Sequence, residues 1–399
     1  VSTQETWNIA SYNRDLRVIN FLKSESIDFL EVENNWVVRW LKNRYNWTKI
    51  WNKRMWSDIF LEKKFKKFNN FEKELIQSKI ILEKYKEKTK HLKTQEWWED
   101  NAIKILETFL DNRCKNYSYN IWKPYESKYS CSRLSPYITY WNISIKYIYQ
   151  KSIKKILELK TDLNEDNLKK IKQINFFLAR IHWQSHLIQK LESQVDIEYK
   201  NLNKEFDKIR NKSDIEIIIN FFNAKTGIPY CDAAIKCLKT TWWINFRTRA
   251  CLVSYICNTM MQPWQSIWKR LACLFTDYEP WIHYSQLQMQ AWTTGINTIR
   301  IYNPIKQSKE KDPQWKFIKK WVPELKEIDI KYIHEPWLSD KKIEWYSNKI
   351  DIEELNKKAK EVLWSTKKEI TKDKKNKIIK KHASRKKINN KNKKQLTIF

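Results

Sequence analysis

Three stretches of this 399-residue chain carry side chains whose types and spacing suit chemistry better than packing. In Ser130-Cys131-Ser132-Arg133-Leu134-Ser135-Pro136-Tyr137, hydroxyls, an arginine and a proline precede a helical run. A helix N-terminus is written this way, and its free N–H groups bind phosphate. An ordinary N-cap is written the same way. The second stretch, Thr226-Gly227-Ile228-Pro229-Tyr230-Cys231-Asp232-Ala233-Ala234, leads on to Arg247 and Arg249. Two arginines two residues apart cannot share a helix face, so at least one points inward unless both are solvated. An inward guanidinium needs a carboxylate or phosphate partner. The third stretch holds Asp277-Tyr278-Glu279-Pro280, His283-Tyr284, Gln288, Gln290, Thr294-Gly295-Ile296-Asn297 and Arg300-Ile301-Tyr302-Asn303-Pro304. It is polar inside a hydrophobic region and costs more than a core requires. That favours a ligand.

The elements holding these residues read as helices. Apolar periodicity predicts them over Ala102–Phe109, Ile143–Leu159, Leu168–Leu191, Ala233–Leu238, Arg247–Met260 and Ser266–Phe275, with proline-marked turns between. Phe60–Lys90 is a long charged amphipathic stretch. Upstream, a helix over Asn13–Lys23 and a strand over Asp28–Val32 look like the last unit of an α/β domain whose earlier part is missing. The expected organisation is an α/β remnant at 1–45, a helical linker region at 46–100, an all-α domain at 101–345, and a C-terminal helix with a basic, mobile tail at 346–399.

Composition bounds the function. No apolar run reaches the ~18 residues of a membrane span, and no secretory signal opens the chain. Seven cysteines without a CxxC pair argue for reduced thiols in a cytoplasm and against a zinc or iron–sulfur site. The net charge of +31 suggests a polyanionic partner, most simply nucleic acid, although an AT-rich genome would also enrich lysine. Twenty-two tryptophans stand beside two glycines, where ordinary usage of about 7% would give roughly 28 glycines.

The three stretches, in this order, resemble the flavin-binding half of the DNA photolyase/cryptochrome family. Further matches are Asp312-Pro313-Gln314-Trp315-Lys316-Phe317-Ile318, Trp321-Val322-Pro323-Glu324-Leu325 and Tyr332-Ile333-His334-Glu335-Pro336-Trp337. The resemblance covers roughly 110–340, with a weaker echo at Glu5-Thr6-Trp7-Asn8 and Arg14-Asp15. It implies a mainly α fold: a photolyase-like FAD-binding helical domain preceded by the remnant of a Rossmann-like antenna domain. The antenna chromophore stays unspecified.

By position, the resemblance implies that Tyr117, Ser132, Leu134 and Ser135 hold the FAD phosphates. Arg249 and Asp277 would pair beside the isoalloxazine, and Glu279 would touch its edge. His283 or Tyr284 falls where many members place an Asn facing flavin N5. Trp183 aligns with an aromatic that stacks on the substrate, and Gln290 with a second substrate Trp. Trp264 matches the middle member of the electron-transfer triad. Gln288 takes the flavin-proximal position, so photoreduction would need another route, through Trp243 or a tyrosine. Arg300 is a DNA-contact candidate.

The implied reaction is light-driven electron donation from reduced flavin to a pyrimidine dimer flipped out of UV-damaged DNA. The absence of histidine between His186 and His283 favours the cyclobutane over the (6-4) lesion. A blue-light photosensor of the cryptochrome type and a flavin-free relative are the alternatives. The expected form is a cytoplasmic monomer. The terminal Gln395-Leu396-Thr397-Ile398-Phe399 resembles a peptide that docks on the bacterial sliding clamp, with Gln395, Leu396 and Phe399 as anchors.

The same alignment divides the tryptophans. Trp7, Trp36, Trp97, Trp98, Trp141, Trp242, Trp281, Trp292 and Trp315 fall where relatives carry Gly. Trp47, Trp51, Trp183, Trp243, Trp264, Trp321 and Trp337 fall where relatives carry Trp. The pattern implies UGA codons that mean Gly in the source and were read as Trp.

Overall fold

The computed structural model describes residues 2–4, 9–32, 37–38, 41, 44, 46–59, 94–295 and 298–382. The amphipathic stretch Phe60–Lys90 and the terminal Gln395, Leu396 and Phe399 lie outside them, as do Trp7, Trp36, Ile296 and Asn297.

Strand β1 (Ser2–Gln4), helix α1 (Ile9–Ser24) and strand β2 (Leu30–Val32) form one βαβ unit. The strands pair in parallel, Ser2 opposite Leu30 and Gln4 opposite Val32. The sequence suggests a longer strand from Asp28 without a partner. The partner is Ser2–Gln4, too short to show alternation. Beyond Val32 no described residue is in a strand, and the architecture is mainly α.

Two apolar cores organise the helices. The first gathers α2 (Trp47–Trp56), α3 (Glu99–Asp111), the short α4 (Ser135–Thr139), α5 (Ile145–Leu159) and the N-terminal half of α6 (Glu165–Ser193). In α2, Trp47, Trp51 and Met55 recur every fourth residue and are all buried, so one face is apolar. Ser144 begins α5 by accepting a hydrogen bond from Tyr147 N at 3.0 Å. Glu99 and Asp100 sit in the first turn of α3, where the helix dipole favours them.

The second core contains α7 (Ile215–Phe222), α8 (Pro229–Thr241), α9 (Phe246–Ser254), α10 (Pro280–Gln290), α11 (Pro304–Lys311) and α12 (Lys316–Trp321). The sequence predicts one helix through Met260. Instead α9 gives way to a π-helical turn, Tyr255–Thr259. There Asn258 Nδ2 donates to Gln290 O at 2.7 Å, while buried Arg210 reaches Asn258 Oδ1 at 2.8 Å and Ala291 O at 2.6 Å. This knot fixes the C-terminal end of α10.

The Thr226–Ala234 stretch turns out to be a structural lock. Asp232 accepts from Thr226 N at 2.9 Å, Thr226 Oγ1 at 2.8 Å and Tyr346 OH at 3.0 Å. Gly227 has φ +73°, and a Cβ there would lie 2.9 Å from Ile350 Cδ1. At the C-terminal end, helix α13 (Ile352–Glu369) is followed by α14 (Lys372–His382). Leu363 and Ile370 pack in a cluster with Phe206, and Lys374 donates to Glu205 at 2.5 Å. Those apolar anchors are lost to view in a lysine-rich composition.

Candidate functional site

Helices α9 and α10 and the segment between them build a cleft of about 550 Å³, counted out to its open mouth. Arg249, Asp277, Glu279, His283, Gln286 and Gln290 all line it. Glu279 precedes Pro280 at the start of α10, so the proline fixes where the helix begins and which way residues 283, 286, 287 and 290 point.

Arg249 and Asp277 form a two-pronged ion pair, Nη1 to Oδ1 at 2.9 Å and Nη2 to Oδ2 at 3.0 Å. Arg249 Nε donates to Ile244 O at 2.8 Å, and its guanidinium lies over Phe275. Burial raises the Asp277 carboxyl, but Arg249 and the Ser135 hydroxyl outweigh it and hold the group below the usual carboxylate range. Arg247, on the other side of α9, donates to Gln307 Oε1 at 3.0 Å and Tyr302 OH at 2.9 Å.

Glu279 has no such cation. Burial pushes it to about 8, offset only in part by the Trp281 N–H. His283 is held neutral: burial lowers it to about 4. Its Nε2 donates to Trp268 O at 3.1 Å, which fixes the tautomer. Its ring packs against Phe275, Tyr278 and Tyr284. Tyr284 is buried and turned away from the cleft, its hydroxyl on Glu198 Oε1 at 3.2 Å. Between the two residues named for the N5 position, the cleft takes His283.

Gln288 does not face the cleft. Its Nε2 donates to Ile197 O at 2.8 Å and Lys200 O at 2.9 Å, and its Oε1 accepts from Leu202 N at 2.6 Å. It ties the 197–202 backbone to α10. Trp264 is buried, with Nε1 donating to Asn201 Oδ1 at 2.7 Å. Trp183 is half-exposed on α6, edge-on to His186, and is not in this cleft's lining. Arg300 is exposed.

On the first core, Leu134 is buried and Tyr117 packs among Phe109, Phe176 and Phe177. Arg113 donates to Cys131 O at 2.5 Å and Ser132 O at 3.2 Å, which holds the loop before α4. Ser135 connects this loop to the cleft through its bond to Asp277.

Among the lining residues that sequence reasoning did not single out, two matter most to the site's character. Gln286 has a buried Oε1 without a hydrogen-bond partner, and Phe246 forms part of the wall. The i, i+4, i+7, i+11 spacing of 279, 283, 286 and 290, from the cap of α10 to its end, was a usable signal for Gln286.

Residues 177–394 match the family described as the FAD binding domain of DNA photolyase. A deoxyribodipyrimidine photo-lyase of Alkalihalophilus pseudofirmus is 26% identical over 244 residues, 60% of this chain and 47% of that protein. Cryptochrome-2 of Arabidopsis thaliana is 26% identical over 255 residues, 62% of this chain and 40% of that protein. The chain thus spans about half the length of the curated relatives it matches. An archaeal photolyase structure from Sulfolobus tokodaii, with two FAD molecules, superposes with a TM-score of 0.69 at 20% identity, over 92% of this chain and 78% of that one. The chain carries a photolyase FAD-binding domain and belongs to the DNA photolyase/cryptochrome family.

Proposed function

We propose that this chain binds FAD in the α9–α10 cleft and repairs pyrimidine dimers in UV-damaged DNA under blue light, with the cyclobutane lesion as substrate. The observation that supports it best is the convergence on one cleft of an ion pair, an acid without a cation, a neutral imidazole and an unsatisfied amide oxygen. These groups fit the mixed donor and acceptor edge of a flavin ring. Gln286 Oε1 needs a donor, and a protonated Glu279 can supply one to a ring acceptor. Arg249 and Asp277 would flank the ring, and the loop carrying Ser132, Leu134 and Ser135, with Tyr117 behind it, would face the phosphates. When bound and photoexcited, reduced flavin supplies the electron that opens the dimer's cyclobutane ring.

The protein's own work is to orient and to exclude water. His283, neutral and anchored to Trp268 O, presents an uncharged face to the ring. Trp183 and Gln290 would receive the flipped-out dimer, and Arg300 would steer the duplex. The test is to reconstitute the chain with FAD, photoreduce it and illuminate it with thymine-dimer oligonucleotides. Release of thymines is the expected result. Bound flavin without dimer splitting would refute the repair reading.

A photosensor role is the second reading. Gln288 and Gln290 occupy two positions that the resemblance assigns to tryptophans, and Gln288 is spent on backbone bonds. Light-dependent change in a partner complex without repair would favour it. Docking of Gln395, Leu396 and Phe399 on a sliding clamp belongs to the repair reading and is checked by pull-down with and without those residues.

A further inference from the structure

A second cleft, of about 760 Å³ counted out to its open mouth, opens beside α8 and α12 and shares no lining residue with the flavin cleft. Its walls include Tyr125, Trp243, Phe317 and Trp321. Its polar lining includes Lys128, Arg133 and Lys320, with no carboxylate among its residues. Trp243 and Trp321 stand where relatives also carry Trp, so the aromatic walls do not depend on the doubtful indoles.

Arg133 is the informative side chain. It is half-buried in the left-handed region at φ +63°, and its guanidinium lies 3.6 Å from the centre of the Trp243 ring. It makes no side-chain hydrogen bond or ion pair with a described residue. Burial, helped by the like charge of Arg249, lowers it to about 10, against the pull of Asp277 in the other direction. Its guanidinium is partly withdrawn from water and has no acceptor among the described residues, so its donors are open to a ligand. A strained backbone that holds such a group against a ring is a cost the fold needs a reason to retain. Lys320 lies over the Tyr125 and Trp321 rings at 5.9 and 5.5 Å, and Lys128 over Tyr129 at 5.6 Å. Both lysines are exposed on the rim.

The chemistry is that of a dianion attached to a planar ring. A guanidinium fork matches phosphate oxygens, two lysines complete the charge, and aromatic faces accept a stacked base. We propose that this cleft is a second ligand site, which binds a mononucleotide with its phosphate on Arg133 and Lys320 and its base against Trp321 and Tyr125. The site does not require the repair reading.

The test titrates adenosine monophosphate and inorganic phosphate into the flavin-loaded full chain by calorimetry. The mononucleotide is expected to bind, and phosphate alone more weakly. Arg133→Gln and Lys320→Gln should each weaken mononucleotide binding at least tenfold, with flavin content unchanged. Lys320 is exposed, so its variant keeps the test clear of folding failure. No binding to the loaded chain would overturn the proposal. So would loss of flavin in Arg133→Gln, which would assign the arginine to the FAD phosphates. Displacement of the mononucleotide by undamaged duplex DNA would also overturn it, by assigning the cleft to the DNA face. Dimer repair by Lys320→Gln is measured separately and is expected to be unchanged, so failure of this site and failure of the repair reading are distinguishable.

Discussion

Replacing the exposed left-handed tryptophans Trp98 and Trp141 by glycine should stabilise the protein, and replacing them by alanine should not. Trp98, Trp141, Trp242, Trp292, Trp315 and Trp345 have φ of 93°, 62°, 53°, 62°, 49° and 73°. Both glycines, Gly227 and Gly295, share that region at 73° and 68°. Trp47, Trp51, Trp183, Trp243, Trp264, Trp321 and Trp337 do not. Of the described tryptophans that the resemblance places at glycine positions, Trp97 and Trp281 have ordinary φ, while the backbone adds Trp345 to the left-handed group. A bulky residue at positive φ costs about 1–2 kcal/mol. Glycine removes that strain but loosens the unfolded chain by about 0.5–1 kcal/mol. Alanine retains most of the strain.

Trp98 is 74% exposed and Trp141 54% exposed, so little burial is lost at either. Glycine should therefore exceed alanine by about 1 kcal/mol at each. The two sites should add. In the helical interior at half-exposed Trp183 the order should reverse by about 1 kcal/mol. Trp292 differs again. It is buried against Phe206, with Nε1 on Thr298 O at 3.0 Å, so truncation there opens a cavity costing about 3–5 kcal/mol. Urea denaturation of the Gly and Ala variants reads the differences directly. Equal stability of Trp141→Gly and Trp141→Ala would refute the reasoning. The genetic counterpart is UGA at these six codons, with glycine in peptides from the source cell. A UGG codon at Trp141 or Trp242 would sink it.

Four other outcomes are expected. Asp277→Asn should strand Arg249 in the cleft and cost about 3–5 kcal/mol in urea denaturation; Arg249→Met with Asp277→Asn should recover much of that loss, because the cost lies in the unpaired charge. Stability without flavin should fall as pH rises from 6.5 to 8, where the folded protein holds the Glu279 proton that the unfolded chain has released. The slope approaches about 1.4 kcal/mol per pH unit, and Glu279→Gln should flatten it. His283 acts below that window: its folded value near 4 means the unfolded chain binds the extra proton, so stability contributed there rises from pH 4 to 6.5 and is lost in His283→Gln. Asp232→Ala should remove two hydrogen bonds from Thr226 and one from Tyr346 and destabilise by about 2–4 kcal/mol without lowering flavin affinity per folded molecule, measured by fluorescence quenching.

How much of this was readable beforehand depended on the range over which each residue's partner lies. Asn303 before Pro304 writes its own helix start, accepting from Ile305 N and Lys306 N, and such local chemistry is visible in sequence. An inward arginine on α9 was also readable, because two positions apart on a helix cannot share a face. That Arg249 rather than Arg247 takes the carboxylate was not, since Asp277 lies 28 residues on and only the fold brings it near. The family pattern supplied that pair in advance. The fates of Asp232 and Gln288 were hidden for the opposite reason. Both look like site chemistry by type and context, yet each is spent on backbone: Asp232 on the Thr226 turn, Gln288 on the 197–202 segment. Polar residues inside a hydrophobic region are costly, and a ligand is one way to satisfy them. An irregular backbone segment that has no helix or strand to satisfy its own amides is another. Composition cannot distinguish the two, because both demands select the same residue types. The structure separates them by what remains unsatisfied once the backbone is served, and on α10 that remainder is Gln286 Oε1, with Glu279 left without a cation, both facing one cleft.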